Sequence, residues 1–444
     1  MTRNVIVSLS LFVVYALLLV WLLYFSSQTN FTGTIIAYTG MFACYFFLLF
    51  NNKRFTQKTI SVGLLLLHLI PLLTIPPLSP DVYRFLWDGE IIAQGINPYA
   101  FTPEKLITLK DFQFSGYLQE LYNEMTQLSR SNFSPYPTTN QLYFIISSFF
   151  TDNIWINIIV LRILVIGTHL LGFYYLKKLL NSLNISTSKA LILALNPFLI
   201  VEFVGNLHFE GVMFSWLIIG FYFIMKKRLL LAGLFFAIAI TIKLTPLLLV
   251  PFFFNYLGWK KWLQFGVVTG GLTILTLSLF LWPSVLGNFT QSLNLYFSNF
   301  EFNASFFLLF KWLLTPVFGY NTVAIIGPAM SVIALFTIIG LALRVKQYNI
   351  KDVFNKMLFA YVIYLLLSTT VHPWYILIPL GLSLFTRYSF MIFWSFTIMF
   401  SYIFYQFGDH LFWYILLIVE YGSLFGFLIY EKISNKRILP LKEV

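Results

Sequence analysis

The chain has 444 residues, of which 59% are hydrophobic and only 10% are charged, and its mean hydropathy is +0.82. These values exclude an ordinary soluble protein and indicate an integral membrane protein. The formal net charge of +12 does not point to nucleic acid, because the basic residues cluster in short connections between apolar segments.

Apolar segments long enough to cross a bilayer core of about 30 Å as helices recur from end to end. Backbone polar groups inside lipid must be bonded within their own segment, so helices are the expected form. We predict an all-α polytopic protein with about 12–14 transmembrane helices, forming a single membrane domain over residues 1–444. The predicted spans are 5–26, 33–50, 59–75, 154–176, 190–205, 211–226, 229–254 (divided into two at Lys243-Leu-Thr-Pro246), 263–282, 321–343, 355–371, 374–386, 390–407 and 411–430.

The basic residues lie mostly on one side of these predicted spans. Short connections and termini hold 21 of the 28 Lys and Arg residues; the last cluster consists of Lys432, Lys436, Arg437 and Lys442. The positive-inside rule therefore predicts that both termini lie in the cytoplasm, and a bacterial inner membrane is the expected location. The single cysteine, Cys44, lies in a predicted span, so neither a disulfide framework nor a thiolate metal site is expected.

Residues 78–139 form the longest polar interval and hold seven of the sixteen acidic residues. A loop of this length is improbable without structure of its own. We therefore predict an extracytoplasmic catalytic loop with two or three helices lying along the membrane. A second outer loop, 283–320, is rich in aromatic residues and carries Glu301 and Lys311.

The most distinctive stretch of the first loop is Ser79-Pro-Asp-Val-Tyr-Arg-Phe-Leu-Trp-Asp-Gly-Glu90. A helix that begins near Asp81 would place Asp81, Arg84 and Asp88 on the same face. That face would present a carboxylate, a guanidinium and a second carboxylate. Gly95 and Asn97-Pro98 predict the end of the helix. One interpretation is a catalytic acid cluster at the membrane surface. The other is a solvated surface helix with an ion-pair ladder, whose N-terminus Asp81 caps.

Further polar residues fall at predicted outer turns or near the outer ends of spans: His208, Glu210, Lys243 and His372. Ionisable residues within a membrane are functional candidates by default. Each also has a structural alternative. His208 and Glu210 could form a hydrogen-bonded turn, Lys243 could extend to the membrane interface, and His372 could cap a helix. Arg162 and Glu202 are a candidate structural ion pair. We expect Asp81 to share one lipid-accessible outer cavity with the turns at 208, 243 and 372.

The chain contains no Walker P-loop, GxGxxG, HExxH or CxxC motif, which disfavours nucleotide-driven chemistry and a dedicated zinc site. Transfer of a sugar from a lipid phosphate fits the residues better. The departing phosphate is already a good anion, so the site needs one base for the acceptor hydroxyl and positive charge at the phosphate. Asp81 is the candidate base, and a partly desolvated carboxylate is a stronger one. The candidate donors to the phosphate are Arg84, His208, Lys243 and His372.

At these residues the sequence resembles the integral-membrane glycosyltransferases of the GT-C fold. The resemblance is closest to bacterial polyprenol-phosphate-sugar mannosyltransferases and more distant to the catalytic subunit of the first GPI-anchor mannosyltransferase. The motifs that carry it are Asp81–Gly89 with Gly95-x-Asn-Pro-Tyr99, Tyr136–Gln141, Asn206–Glu210, Lys243–Pro246 and His372–Tyr375. Thr138 stands where a second proline is usual, and two spans, rather than the common one, precede the span that leads to the catalytic loop.

The resemblance implies an inverting hexosyl transfer, of mannose foremost, from a polyprenyl-phosphate donor to a lipid-linked or cell-envelope glycan on the extracytoplasmic face. It maps the catalytic base onto Asp81, with Asp88 as the alternative. The candidates for substrate binding are Arg84, Asp88, Glu90, Tyr99, Tyr136, His208, Glu210, Lys243 and His372. Metal use differs among GT-C enzymes, so no cofactor is assigned and a divalent metal stays an open alternative.

Two other function classes would use the same buried charges. A lipid-linked saccharide flippase or transporter should have broken spans in matching halves of the chain, and only the break at Lys243 is evident in the sequence. A non-catalytic assembly subunit would tolerate the loss of Asp81.

Overall fold

The computed structural model describes residues 3–298, 300–319 and 322–435. The basic residues Lys436, Arg437 and Lys442 lie outside the described residues, as do positions 299 and 320 of the predicted second outer loop. Within the described ranges the secondary structure is helical, with no strand beyond one isolated bridge between Phe302 and Thr370. The predicted all-α fold of a polytopic membrane protein is therefore confirmed.

Six helical segments of the described chain are long and apolar enough to cross a membrane. They are α1 (Arg3–Phe25), α2 (Phe31–Phe50), α9 (Ile154–Ser182), α18 (Val323–Leu343), the segment Phe390–Phe407 and α23 (Leu411–Ser434). A seventh is added if Thr187–Ala194 and Pro197–Gly205, which meet at an angle of 58°, count as one span. Length and composition thus identify fewer spans than the twelve to fourteen that hydropathy predicts.

The other predicted spans are present as shorter or less apolar helices. These are α3 (Gln57–Leu69), α12 (Glu210–Met225), α13 (Leu229–Ile242), α14 (Phe253–Leu257), α15 (Trp259–Leu277), α19 (Ile350–Leu366) and α20 (Leu377–Ser383). The remaining helices of the membrane part are α10 (Leu191–Ala194), α11 (Pro197–Leu199), α21 (Phe390–Thr397) and α22 (Ile403–Phe407). The predicted second outer loop contains α16 (Pro283–Ser298) and α17 (Phe306–Phe318).

The first outer loop folds into four short helices rather than the expected two or three. They are α4 (Asp81–Ala93), α5 (Pro103–Leu106), α6 (Gly116–Glu124) and α7 (Gln127–Ser131), and α8 (Thr138–Ser148) leads back to the membrane part. Each of the three helices after α4 begins at a hydroxyl side chain that caps its N-terminus. Thr102, Ser115 and Thr126 each accept a hydrogen bond from a backbone N–H of the following turn.

Helix α4 is held in place by close packing against α8. The rings of Phe85 and Phe144 stack with their centres 4.6 Å apart. A Cβ atom at Gly89 would lie 2.3 Å from the carbonyl oxygen of Phe144, so glycine is required for the two backbones to approach this closely. This contact fixes the orientation of the helix that begins at Asp81.

Two irregular segments bring polar residues to the same region. The apolar run 229–254 is divided as predicted, because α13 ends at Ile242 and Lys243 has an extended backbone. Residues Ile200–Gly205 form a π-helix, a rare conformation that is frequent at functional sites. Leu207 follows with φ +60°, a strained value for a bulky side chain, immediately before His208.

Arg162 joins the π-helix to residues 72–74, just before the first outer loop, through backbone carbonyl groups. Its guanidinium group donates four hydrogen bonds of 2.6–3.1 Å, and the acceptors are the carbonyl oxygens of Leu72, Thr74, Val204 and Gly205. The expected ion pair between Arg162 and Glu202 is therefore wrong. Carbonyl groups of the π-helix and of the end of the 3-10 helix Ile70–Leu73 satisfy the arginine instead, and Glu202 has other partners.

Candidate active site

Asp81 is the first residue of α4, and the capping position is occupied by Pro80. The interpretation of Asp81 as a helix cap is therefore wrong. Burial raises the pKa of the Asp81 carboxyl above its ordinary value, and the charge of Glu210 acts in the same direction. The charges of His208 and Lys243 and a hydrogen bond from Tyr136 oppose this rise. One desolvated carboxylate thus lies within the electrostatic reach of both cationic turns.

Lys243 projects from the break after α13 toward aromatic and acidic groups. Its ammonium group forms an ion pair with Glu210 and lies 4.0 Å from the centre of the Tyr375 ring. An ammonium group over an aromatic face is stabilised by the ring quadrupole. These two contacts hold the lysine at the site, where about a third of its side chain remains exposed.

The two histidines of the predicted turns stack on one tryptophan. The rings of His208 and Trp374 have centres 3.6 Å apart, and those of His372 and Trp374 have centres 4.5 Å apart. Burial lowers the pKa of His372 well below its ordinary value, and the charges of Lys243 and His208 act in the same direction. Its surroundings therefore disfavour the charged form of the His372 ring.

Glu202 supports His208 from within the π-helix. Its Oε2 atom lies 3.3 Å from Nε2 of His208, and Tyr402 donates a 3.0 Å hydrogen bond to its Oε1. The His208–Glu202 contact has ion-pair distance without hydrogen-bond alignment, so Nε2 has no hydrogen-bond partner within the described residues. Sequence reasoning missed this support, although an acid within an apolar segment was a signal for Glu202. Nothing in the sequence indicated Tyr402.

Arg84 and Asp88 form a buried ion pair, not a surface ladder. Nε of Arg84 donates to Oδ1 of Asp88 at 2.8 Å, and the two side chains are 3% and 0% exposed. Oδ2 of Asp88 accepts hydrogen bonds from Ser134 at 2.5 Å and from Gln141 at 3.2 Å. Nη1 of Arg84 donates to the backbone carbonyls of Ser129 and Asn132 at 2.5 and 3.0 Å. The pair therefore fixes α4 to α8, to α7 and to the loop that follows α7.

The remaining candidates differ in their relation to Asp81. Tyr136 reaches the Asp81 carboxyl, and its backbone carbonyl accepts a 2.6 Å hydrogen bond from the Tyr99 hydroxyl. Tyr99 is fully buried and thus supports Tyr136 from behind. Glu90 is not brought to the cluster, because its side chain accepts a hydrogen bond from Gln94, one turn further along α4.

The structure places the turns at 208 and 243 within electrostatic reach of Asp81. The shared lipid-accessible cavity and the role of each residue stay predictions. The side chains that the structure brings together are Asp81, Tyr136, His208, Glu210, Lys243 and His372, with Arg84, Asp88 and Tyr99 behind or beside them. In the part of the chain that the structure describes, no group of three or more His, Cys, Asp and Glu side chains is arranged to hold a metal ion.

Comparison with known proteins identifies the family. The family model described as "Alpha-(1->6)-mannopyranosyltransferase, N-terminal domain" matches residues 8–258, which is more than half of the chain. The chain belongs to this family. The matched region of this mannopyranosyltransferase family member contains Asp81, Tyr136, His208 and Lys243, whereas His372 lies beyond it.

Individual relatives are distant. Alpha-(1->6)-mannopyranosyltransferase A of Corynebacterium glutamicum is 24% identical over 184 residues, which cover 40% of this chain and 34% of the relative. The A enzyme of Mycobacterium tuberculosis is 21% identical over 299 residues, 64% of this chain and 54% of the relative. Alpha-(1->6)-mannopyranosyltransferase B of C. glutamicum is 27% identical over 177 residues, which cover 38% of this chain and 28% of the relative. The chain thus spans about half or less of the length of these relatives, and no solved structure matches it.

Proposed function

We propose that the protein is an inverting mannosyltransferase that moves mannose from a polyprenyl-phosphate donor to a cell-envelope or lipid-linked glycan. The observation that carries the proposal is the Asp81 carboxylate, whose pKa is raised by desolvation and which lies within electrostatic reach of His208 and Lys243. The names of its relatives support mannose as the sugar. The positive-inside pattern supports an extracytoplasmic position for loop 78–139, with both termini in the cytoplasm.

The proposed reaction is a single displacement at the anomeric carbon. Asp81 takes the proton of the acceptor hydroxyl, and the oxygen of that hydroxyl forms a bond to the anomeric carbon. The bond from that carbon to the phosphate oxygen breaks, and the electron pair leaves with the phosphate. Lys243 and His208 stabilise the charge that the phosphate gains. If the product has the α linkage that the relatives' names state, an inverting displacement requires a β-configured donor.

Asp81 suits the role of the base better than Asp88. Its raised pKa makes it a stronger proton acceptor than an ordinary aspartate, and it lies within electrostatic reach of His208 and Lys243. Both carboxylate oxygens of Asp88 already accept hydrogen bonds from protein side chains. We therefore propose a supporting role for Asp88 and Arg84 behind the reacting groups.

The direct test uses purified protein with a panel of polyprenyl-phosphate sugars and an alkyl mannoside acceptor. We expect the mannose donor to be consumed, with release of polyprenyl phosphate and formation of a longer glycan in equal amounts. Consumption of none of the donors, or of a donor with a different sugar only, would overturn the proposal. Movement of an intact lipid-linked saccharide across a bilayer without release of lipid phosphate would favour the flippase alternative.

The acid side of the pH profile provides the first prediction. Asp81 must be ionised to accept a proton, and its pKa is raised, so kcat/KM should rise with pH through a pKa above the ordinary aspartate value of 3.8. Glu210→Gln removes a negative charge and should move this limb to lower pH. Lys243→Met removes a positive charge and should move it to higher pH. If both variants shift the acid limb in the same direction, or if neither shifts it, the assignment of Asp81 is contradicted.

Lys243 provides a second prediction. Lys243→Met should lower kcat/KM for the polyprenyl-phosphate donor about 10–100-fold, because one charge-assisted contact to the phosphate is lost. Lys311→Met is the matched control, since Lys311 also forms an ion pair with a glutamate and has similar side-chain exposure, 29% against 31%. The rate of lipid-phosphate release measures both effects. Equal effects of the two substitutions would contradict a contact between Lys243 and the donor phosphate.

A further inference from the structure

A pocket lies beside Asp81, on the side formed by the first outer loop and α16. Its lining includes Asp81, Arg84, Leu128, Tyr136, Ser292 and Leu295. The empty space in it, including its open mouth, is about 430 Å³. We propose that this pocket binds the acceptor saccharide, an inference that rests on the proposed function and identifies a second subsite within it.

One donor group of Arg84, a residue that lines this pocket, lacks a partner. Nε and Nη1 of Arg84 are used by Asp88 and by two backbone carbonyls, but Nη2 has no hydrogen-bond partner among the described residues. Buried polar groups are normally paired, so an unpaired guanidinium nitrogen indicates a ligand that accepts its hydrogen bond. A sugar hydroxyl is such an acceptor, and Asp81 lines the same pocket.

The charge near Asp81 differs between the pocket and the turns at 208 and 243. Lys243 and His208 are not among the lining residues of the pocket, and both suit the anionic phosphate of the donor. In the pocket the positive charge of Arg84 is offset by its buried partner Asp88. The remaining lining combines hydroxyl and amide groups with apolar and aromatic walls. This combination suits a neutral polyhydroxyl compound and disfavours a second phosphate.

Hydrogen bonds join the two walls of the pocket. Ser292 of α16 donates to the carbonyl of Phe133 at 2.8 Å, and Asn288, one turn earlier, donates to the carbonyl of Tyr99 at 2.9 Å. The second outer loop thus contributes α16 to the acceptor side of the site. Substitutions of the α16 residues that line the pocket should consequently alter acceptor use, although no residue of this helix is a candidate for the chemistry.

The test fills the pocket from each wall. Leu295→Trp on α16 and Leu128→Trp on α7 should raise KM for an alkyl α-(1->6)-dimannoside acceptor by about tenfold or more. KM for polyprenyl-phosphate mannose should change less than about twofold. Leu128 is 41% exposed, so a tryptophan there does not threaten folding. Gln291→Trp, on the exposed face of the same helix, is the matched control and should leave both constants unchanged.

The outcomes separate this inference from the function on which it rests. A wild-type protein that transfers mannose, with pocket variants that leave acceptor KM unchanged, would overturn the acceptor subsite alone. Variants that raise donor KM instead would assign the pocket to the donor and overturn the inference in the same way. A wild-type protein that transfers mannose from no polyprenyl-phosphate donor would overturn the proposed function, and the acceptor subsite with it.

Discussion

Asp81→Asn should reduce the rate of mannosyl transfer by about 10²–10⁴-fold, which is the usual contribution of a general base. Asparagine has nearly the same size as aspartate but cannot accept the proton of the acceptor hydroxyl. The rate of product formation from polyprenyl-phosphate mannose, in membranes or with purified protein, measures the effect. Asp111→Asn is the matched control, because it removes an exposed carboxylate from the same loop and should have no effect.

The same substitution should not weaken the fold. Burial raises the pKa of Asp81, so the protein binds a proton at this site more tightly when folded than when unfolded. Such a group contributes stability below its unfolded pKa and loses that contribution as the pH rises through its folded pKa. At neutral pH a neutral amide therefore removes an unfavourable charge. A thermal unfolding midpoint equal to or above that of the wild type, with lost turnover, is expected. Retained transfer at a near wild-type rate would contradict the role of Asp81.

Hydropathy and charge predicted the class of fold because both act at the level of whole segments. The helix that begins at Asp81, its end before Gly95 and the break at Lys243 also followed from local rules for proline, glycine and charge. The number of spans did not follow as directly. Several apolar stretches, such as α12 and α13, are shorter than a bilayer core requires of a straight helix.

The partners of buried charges were harder to predict, because opposite charges in a sequence do not reveal competing backbone groups. Arg162 is satisfied by carbonyl oxygens that the π-helix and an irregular turn leave free, which freed Glu202 for His208 and Tyr402. Tyr402 is separated from Glu202 by 200 residues, so no local pattern connects them.

Asp88 and Arg84 illustrate a second reason for the difference between expectation and structure. Their i,i+4 spacing correctly predicted an ion pair, but the same spacing is compatible with a solvated helix face. Burial depends on Ser134 and Gln141, which lie far along the chain and approach only when α8 packs on α4. The position of a pair relative to water is a tertiary property that spacing does not contain.

This burial leads to the second large effect. Asp88→Asn should lower the free energy of unfolding by about 3–5 kcal/mol, because it leaves the buried Arg84 guanidinium without its counter-charge. Asp352→Asn is the matched control. Asp352 and Lys356 form an i,i+4 ion pair as well, but both side chains are 19% exposed rather than 3% and 0%. Ion pairs that solvent can reach contribute less, about 0–1 kcal/mol when fully exposed. Thermal or denaturant-induced unfolding in detergent measures both changes.

Substitution of the two aspartates of α4 should therefore have opposite effects on turnover and stability. Asp81→Asn should abolish turnover and preserve stability, whereas Asp88→Asn should lower stability and reduce activity mainly by reducing the folded fraction. Turnover per folded molecule distinguishes them, because the folded fraction of the Asp88 variant can be measured and used to normalise its rate. If Asp88→Asn preserves stability and abolishes turnover, the proton acceptor is Asp88, and the cationic turns around Asp81 must have a different purpose.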